Sequence, residues 1–112
     1  MLKKKDIIIA NQKFCKGIIV NEGSLDFAVS QVQRSKNWLK SAAILTRAIL
    51  IDHVFEEGNK RTTAAIIGAL MEMHNLVPDK EKIAKGIEKI LKKNITSIKE
   101  IERVIKDGIR VH

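Results

Sequence analysis

The chain has 112 residues, 45% apolar and only 4% aromatic, with no tyrosine. That length suits one domain, residues 1–112, able to bury roughly two-thirds of its unfolded surface, and the low aromatic content leans towards helix rather than sheet. A net charge of +8 and a single cysteine, Cys15, exclude an internal disulfide, suit a reducing cytoplasm, and favour an acidic partner such as a nucleotide, a nucleic acid or an acidic protein.

The start, Met1-Leu2-Lys3-Lys4-Lys5, has the charge of a signal peptide, but the apolar run Ile7-Ile8-Ile9-Ala10 is too short for one. No uninterrupted stretch approaches the ~20 apolar residues of a membrane span. There is no internal repeat, low-complexity segment or linker. The pattern predicts a first helix from about Lys3 to Lys16, offering Ile7, Ile8, Phe14 and Cys15 to the core, with Gly17 as its stop signal. Ile18-Ile19-Val20 is short and β-branched, and Asn21-Glu22-Gly23 reads as a turn. Ser24 is expected to cap a helix running through Phe27, Val29 and Val32, whose Gln31, Gln33 and Arg34 are candidates to face a site.

A long central helix is expected from near Lys36 to His53. Arg47, six residues before His53, is expected to be exposed or ion-paired. Asp52 cannot share the helical face of its neighbour His53 and is a weak candidate for orienting it. A further helix, Lys60 to His74, ends near Asn75. Val77-Pro78-Asp79 is a break, with Asp79 capping a helix to about Lys93. Its Ile83, Ile87, Ile90 and Leu91 follow helical spacing. The basic face opposite, with Lys82, Lys85, Lys89, Lys92 and Lys93, is expected to be solvated. Ser97-Ile98-Lys99-Glu100 has the capping-box pattern and opens a last helix, striped by Ile98, Ile101, Val104 and Ile105 and closed by Gly108. The expected architecture is an all-α bundle.

Between the two most apolar helices lies His53-Val54-Phe55-Glu56-Glu57-Gly58-Asn59-Lys60-Arg61-Thr62. Polar groups held between buried helices must be satisfied by each other, by the backbone or by a ligand. Asn59, Lys60 and Arg61 stand at a helix N-terminus, where free N–H groups and the dipole suit a phosphate. Cations there oppose the dipole unless an anion lies between them. Gly58 permits a sharp turn and close approach to a ligand. Glu57 is a hard oxygen donor of the kind that holds Mg²⁺ together with substrate phosphates. His53 is placed to take a proton from a hydroxyl. Phe55 is an anchor for the loop. Base, metal ligand and anion cradle together describe a phosphoryl- or nucleotidyl-transfer site. A zinc site from His53, Glu56 and Glu57 lacks the thiolates and further histidine that structural sites use. His74 and His112 have no comparable surroundings.

At these residues the chain resembles the Fic/Doc family. The Fic signature is His-x-Phe-x-(Asp/Glu)-Gly-Asn-Gly-Arg-x-x-Arg, and the Doc signature His-x-Phe-x-(Asp/Asn)-Ala-Asn-Lys-Arg-Thr. Here His53, Phe55, Glu57, Gly58, Asn59, Lys60, Arg61 and Thr62 fall in register, and a looser likeness runs from about Ile19 to Pro78. The resemblance implies a compact helical bundle with the motif loop between two central buried helices. It also implies an extended flap near the site that pairs with a target peptide; Ile18–Val20 fits that place, or is a plain connection. Lys60 and Ala64 depart from the Fic pattern, which has Gly and Arg there, and Lys60-Arg61-Thr62 follows Doc. Gly58 and Glu57 follow Fic.

What the resemblance implies is a Doc-like protein kinase, the toxin of a toxin–antitoxin pair. It would transfer the γ-phosphate of ATP, with Mg²⁺, to a hydroxyl on a target protein, which in Doc is a translation elongation factor. His53 is then the base, Glu57 the metal ligand, and Gly58, Asn59, Lys60 and Arg61 the phosphate cradle. The alternatives are a Fic-like adenylyltransferase and a non-enzymatic basic helical module binding nucleic acid or a partner; nucleic acid is not the expected partner, though the +8 charge does not exclude it. The family's inhibitory (Ser/Thr)-x-x-x-Glu-(Gly/Asn) helix is not found: Glu22-Gly23 has Ile18 in the Ser/Thr position, and Thr96 with Glu100 is followed by Ile101. Inhibition is therefore expected to come from a separate antitoxin protein.

Overall fold

In a computed structural model the chain folds into six α-helices and one π-helical turn. The structure describes residues 2–110, so His112 lies outside the described residues. The helices are α1 (Lys4–Gln12), α2 (Glu22–Arg34), α3 (Trp38–Thr46), α4 (Asn59–Met73), α5 (Lys80–Lys92) and α6 (Ile98–Lys106), and the π-helical turn Arg47–Ile51 follows α3 directly. Among the described residues there is no strand longer than an isolated bridge. The all-α expectation holds. No helix among the described residues is long and apolar enough to cross a membrane.

The centre of the bundle is α3, where six consecutive residues, Ser41 to Thr46, are buried. Such a helix has no polar face to turn outward, so it must be covered on every side. It packs against α2, α4 and α6, while α1 lies on α4 and α5 on α4 and α6. The last helix supplies Ile101 and Ile105, the fifth Ile83, Ile87 and Ile90, each set at helical spacing.

Caps place most boundaries. Asp79 accepts from the Lys82 N–H at 3.1 Å and Ser97 from that of Glu100 at 3.4 Å. Both α4 and α5 end on asparagines in the left-handed region, Asn75 (φ 60) and Asn94 (φ 51). In each case the following N–H reaches back to close the helix: Leu76 to the Met71 carbonyl and Ile95 to that of Ile90, both at 2.9 Å. The Val77–Asp79 break pairs with the chain's end, where Asp79 N–H donates to Gly108 O at 2.8 Å and Arg110 N–H to Val77 O at 2.7 Å.

Several boundaries differ from the expected ones. The first helix ends at Gln12 rather than Lys16, leaving Phe14 46% exposed and Cys15 half-buried. The reason is Asn11, whose buried side chain takes the Gly17 N–H at 2.8 Å and so turns the chain back before another helical turn can form. The second helix is capped by Asn21, not Ser24. The Asn21 side chain accepts from Ser24 N–H at 3.4 Å and donates to Asp52 O at 2.8 Å, while Ser24 Oγ donates to Asp52 Oδ2 at 3.0 Å. Asp52 thus holds the start of α2 rather than His53. Phe27 is 61% exposed, because the buried face of α2 is Leu25, Ala28, Val29 and Val32, and Phe27 lies off it. The long helix to His53 is instead α3 capped by Asn37 and then the π turn. Arg47 is half-buried and in no ion pair among the described residues. Across the N-terminal half, Lys4 Nζ bridges Glu22 (3.2 Å) and Asp26 (2.7 Å). The Asp26 carboxylate, with Glu22 beside it, pushes the Lys4 ammonium above the usual lysine range.

Candidate active site

The motif begins where the π turn runs out. After Asp52, His53 takes a left-handed backbone (φ 54), a conformation uncommon for residues other than glycine though histidine is enriched there. Val54 and Phe55 then drop into the core with no exposed surface. This confirms Phe55 as the anchor. The chain rises through exposed Glu56 and Glu57 to Gly58 and enters α4 at Asn59.

Two structures hold this loop. On one side, Ile18–Val20 runs antiparallel to Val54–Glu56, with Ile19 bridging to Phe55. Glu56 N–H donates to Ile18 O at 3.0 Å and Val20 N–H to Val54 O at 2.8 Å. The extended segment is therefore paired to the motif itself. On the other side stands Asn11, 1% exposed, which the sequence reading did not single out. Its Nδ2 donates to Glu57 O at 2.8 Å and to Thr62 Oγ1 at 3.0 Å, while its Oδ1 accepts from Gly17. Both donors and the oxygen of one buried amide are used to join α1, the loop and the first turn of α4.

Gly58 has φ +77, and a Cβ there would stand 2.6 Å from Cys15 Sγ and 3.2 Å from Asn11 Nδ2. Glycine is thus required for both conformation and space. Gly58→Ala is expected to lower stability by about 1–3 kcal/mol, from left-handed strain plus overpacking. Cys15→Ala in the same chain removes the sulfur and is expected to recover part of that loss, read from urea unfolding midpoints in a double-mutant cycle.

Asn59 is 8% exposed, and its side chain is committed to the loop. Oδ1 accepts from Phe55 N–H at 3.0 Å and Nδ2 donates to Phe55 O at 2.9 Å, which fixes the amide orientation. The same Nδ2 lies 3.2 Å from His53 Nδ1. With that orientation Nδ1 accepts, and the neutral imidazole carries its proton on Nε2. Within the expected phosphate cradle, the Asn59 side chain is thus engaged by the loop, and its main-chain N–H is the group left for a ligand. Main-chain bonding in α4 starts with Thr62 N–H donating to Gly58 O at 2.9 Å. The N–H groups of Asn59, Lys60 and Arg61 precede that ladder.

The remaining site residues converge. His53, Glu57, Gly58, Asn59, Lys60 and Arg61 line one cleft of ≈ 450 Å³ together with Glu56, Cys15, Leu50 and Leu91. That volume is within the usual range for small-molecule sites. Lys60 is drawn to Glu88 on α5 at 3.0 Å, an exposed pair. Arg61 lies 5.8 Å over the Phe14 ring. The Glu57 carboxylate, exposed on the rim, has no ion pair or side-chain hydrogen bond among the described residues. No three His, Cys, Asp or Glu among the described residues form a metal-binding group. A cation here would be held by Glu57 together with substrate and water oxygens, which is how Mg²⁺ is commonly bound with phosphates. Gln31 and Arg34 do not join this site; they line a separate cleft at the far ends of α3 and α4.

Comparison of the chain with protein-family models, with characterised proteins and with solved structures finds no match in any of the three.

Proposed function

We propose that the motif cleft is a phosphoryl-transfer site, and that the protein is a Doc-like kinase passing the γ-phosphate of ATP to a hydroxyl on another protein. The observation that carries this is the convergence of an imidazole, the carboxylates of Glu56 and Glu57, two cations and the open N-terminus of α4 on one cleft. The main-chain N–H groups of Asn59, Lys60 and Arg61, with the Lys60 and Arg61 side chains, suit phosphate oxygens. Glu57 would hold Mg²⁺ together with phosphate oxygens, and the ion would supply neutralisation of the phosphate charge. The target oxygen bonds to the γ-phosphorus, the bond to the bridging oxygen breaks, and the hydroxyl proton passes to His53. Because Asn59 Nδ2 faces Nδ1, His53 accepts that proton at Nε2 only after its ring has shifted tautomer and turned the new Nδ1–H away from the Asn59 amide. The ring is solvent-exposed, so water can carry the exchange. By resemblance to Doc, the target would be a translation elongation factor and the inhibitor a separate antitoxin.

Adenylyl transfer is the second reading, favoured by one observation: Gly58 sits where the kinase branch has alanine, and its φ and the Cys15 contact forbid a Cβ. Against it, Ala64 provides no cation where that branch places arginine.

Binding can be tested before turnover. Titration with ATP and Mg²⁺ is expected to shift the amide resonances of Asn59, Lys60 and Arg61, with AMP shifting them far less. Glu88→Gln releases Lys60 and is expected to tighten ATP binding by no more than about fivefold, since exposed ion pairs are weak. ATP that leaves those three amides unmoved would refute the cradle.

A further inference from the structure

We propose that the cleft at the opposite pole binds single-stranded nucleic acid. It is formed where α2 ends, α3 begins and α4 ends, whereas the motif lies at the other ends of α3 and α4. The 15 residues of α4 put the two sites about 22 Å apart. At ≈ 960 Å³ it is the larger of the two.

Its chemistry differs from that of the motif. Arg34, Lys36 and Lys40 line it, no carboxylate does, and none of the three forms an ion pair among the described residues. Among the described residues only Lys4, Lys60 and Lys85 form ion pairs, so it is the absence of any carboxylate from the lining, not the free cations alone, that sets this cleft apart. Trp38 and His74 stack within the cleft, centroids 5.8 Å apart and planes 29° from parallel. His74 Nδ1 donates to Leu70 O at 2.9 Å, which fixes that ring against the end of α4. Gln31 Oε1, in the wall, is buried without a hydrogen-bond partner. The Trp38 indole, backed by His74 and ringed by cations, leaves its other face for a base to stack on while the phosphates meet the cations. The Gln31 oxygen is covered in this structure and would have to turn outward to meet the N–H edge of a base. An acidic peptide would use the charge but does not bring a flat ring to Trp38 with every unit, as a nucleotide chain does. Stacking on Trp38 needs bases that are not already stacked and paired in a duplex, which favours single strands.

Trp38 is the chain's only tryptophan, so its fluorescence reports on this cleft alone. The full chain is titrated with a ten-nucleotide mixed-sequence RNA, its DNA counterpart, inorganic polyphosphate and a polyglutamate peptide. Saturable quenching by the oligonucleotides and none by polyphosphate is expected. Arg34→Gln, Lys36→Gln and Lys40→Gln are each expected to flatten the log–log salt dependence by about 0.7. With labelled RNA followed by anisotropy, Trp38→Leu is expected to weaken binding about tenfold or more, and Trp38→Phe to restore most of it. Circular dichroism checks that each variant folds. Lys85→Gln and Lys89→Gln, on α5, serve as charge controls and are expected to leave the slope unchanged. The proposal is overturned if RNA does not quench Trp38, if the α5 controls matter as much as Lys36 and Lys40, or if polyglutamate competes as well as RNA does. The last result would assign the cleft to an acidic protein segment.

Discussion

His53→Ala is expected to lower phosphoryl transfer by about 10²- to 10⁴-fold, the usual contribution of a positioned base. The ring is exposed, so its loss opens no cavity. It does leave alanine at φ 54, where a β-carbon is strained. A second variant, His53→Asn, separates the two effects. Asparagine accepts the left-handed conformation readily but cannot act as a base near neutral pH. Both variants are expected to bind ATP as the parent does, and only His53→Ala to show a lower unfolding midpoint. Transfer that persists in His53→Asn at the parental rate would remove His53 from the chemistry.

Asn11→Leu is expected to be the most destabilising single change, at about 3–5 kcal/mol. Leucine fits the volume but abandons three partners at once: the Glu57 carbonyl, the Thr62 hydroxyl and the Gly17 N–H. Each buried group left unpaired costs roughly 1–3 kcal/mol. With typical stabilities of 5–15 kcal/mol, that takes a large share of the whole. The loss should appear as a lower urea midpoint and as early amide exchange in the loop and the first turn of α4. A midpoint within the error of the parent would mean that the amide does not hold the loop.

The sequence reveals the site better than it reveals the site's supports. The motif is legible because its functional residues lie within ten positions and belong to one helix–loop–helix junction. The caps of α5 and α6 are legible for the same reason: Asp79 and Ser97 reach N–H groups three residues on. Asn11 is not, since its partners lie 46 and 51 residues away. At the start of α2, two capping residue types compete, and the choice of Asn21 over Ser24 is made by Asp52, 31 and 28 residues downstream. The π turn at Arg47–Ile51 carries no sequence signal either. Its apolar run satisfies an α-helix equally well, and only the route into the left-handed His53 marks the difference. The committed side chain of Asn59 was hidden because a polar residue at a helix N-terminus reads equally as ligand or as clamp.

The most direct test of phosphoryl transfer uses ATP labelled separately at the α- and γ-phosphates, incubated with the protein, Mg²⁺ and a cell extract, beside His53→Asn. Label passing to protein from the γ position alone, and lost in the variant, is the predicted result. Label passing from the α position would contradict it and establish nucleotidyl transfer in its place.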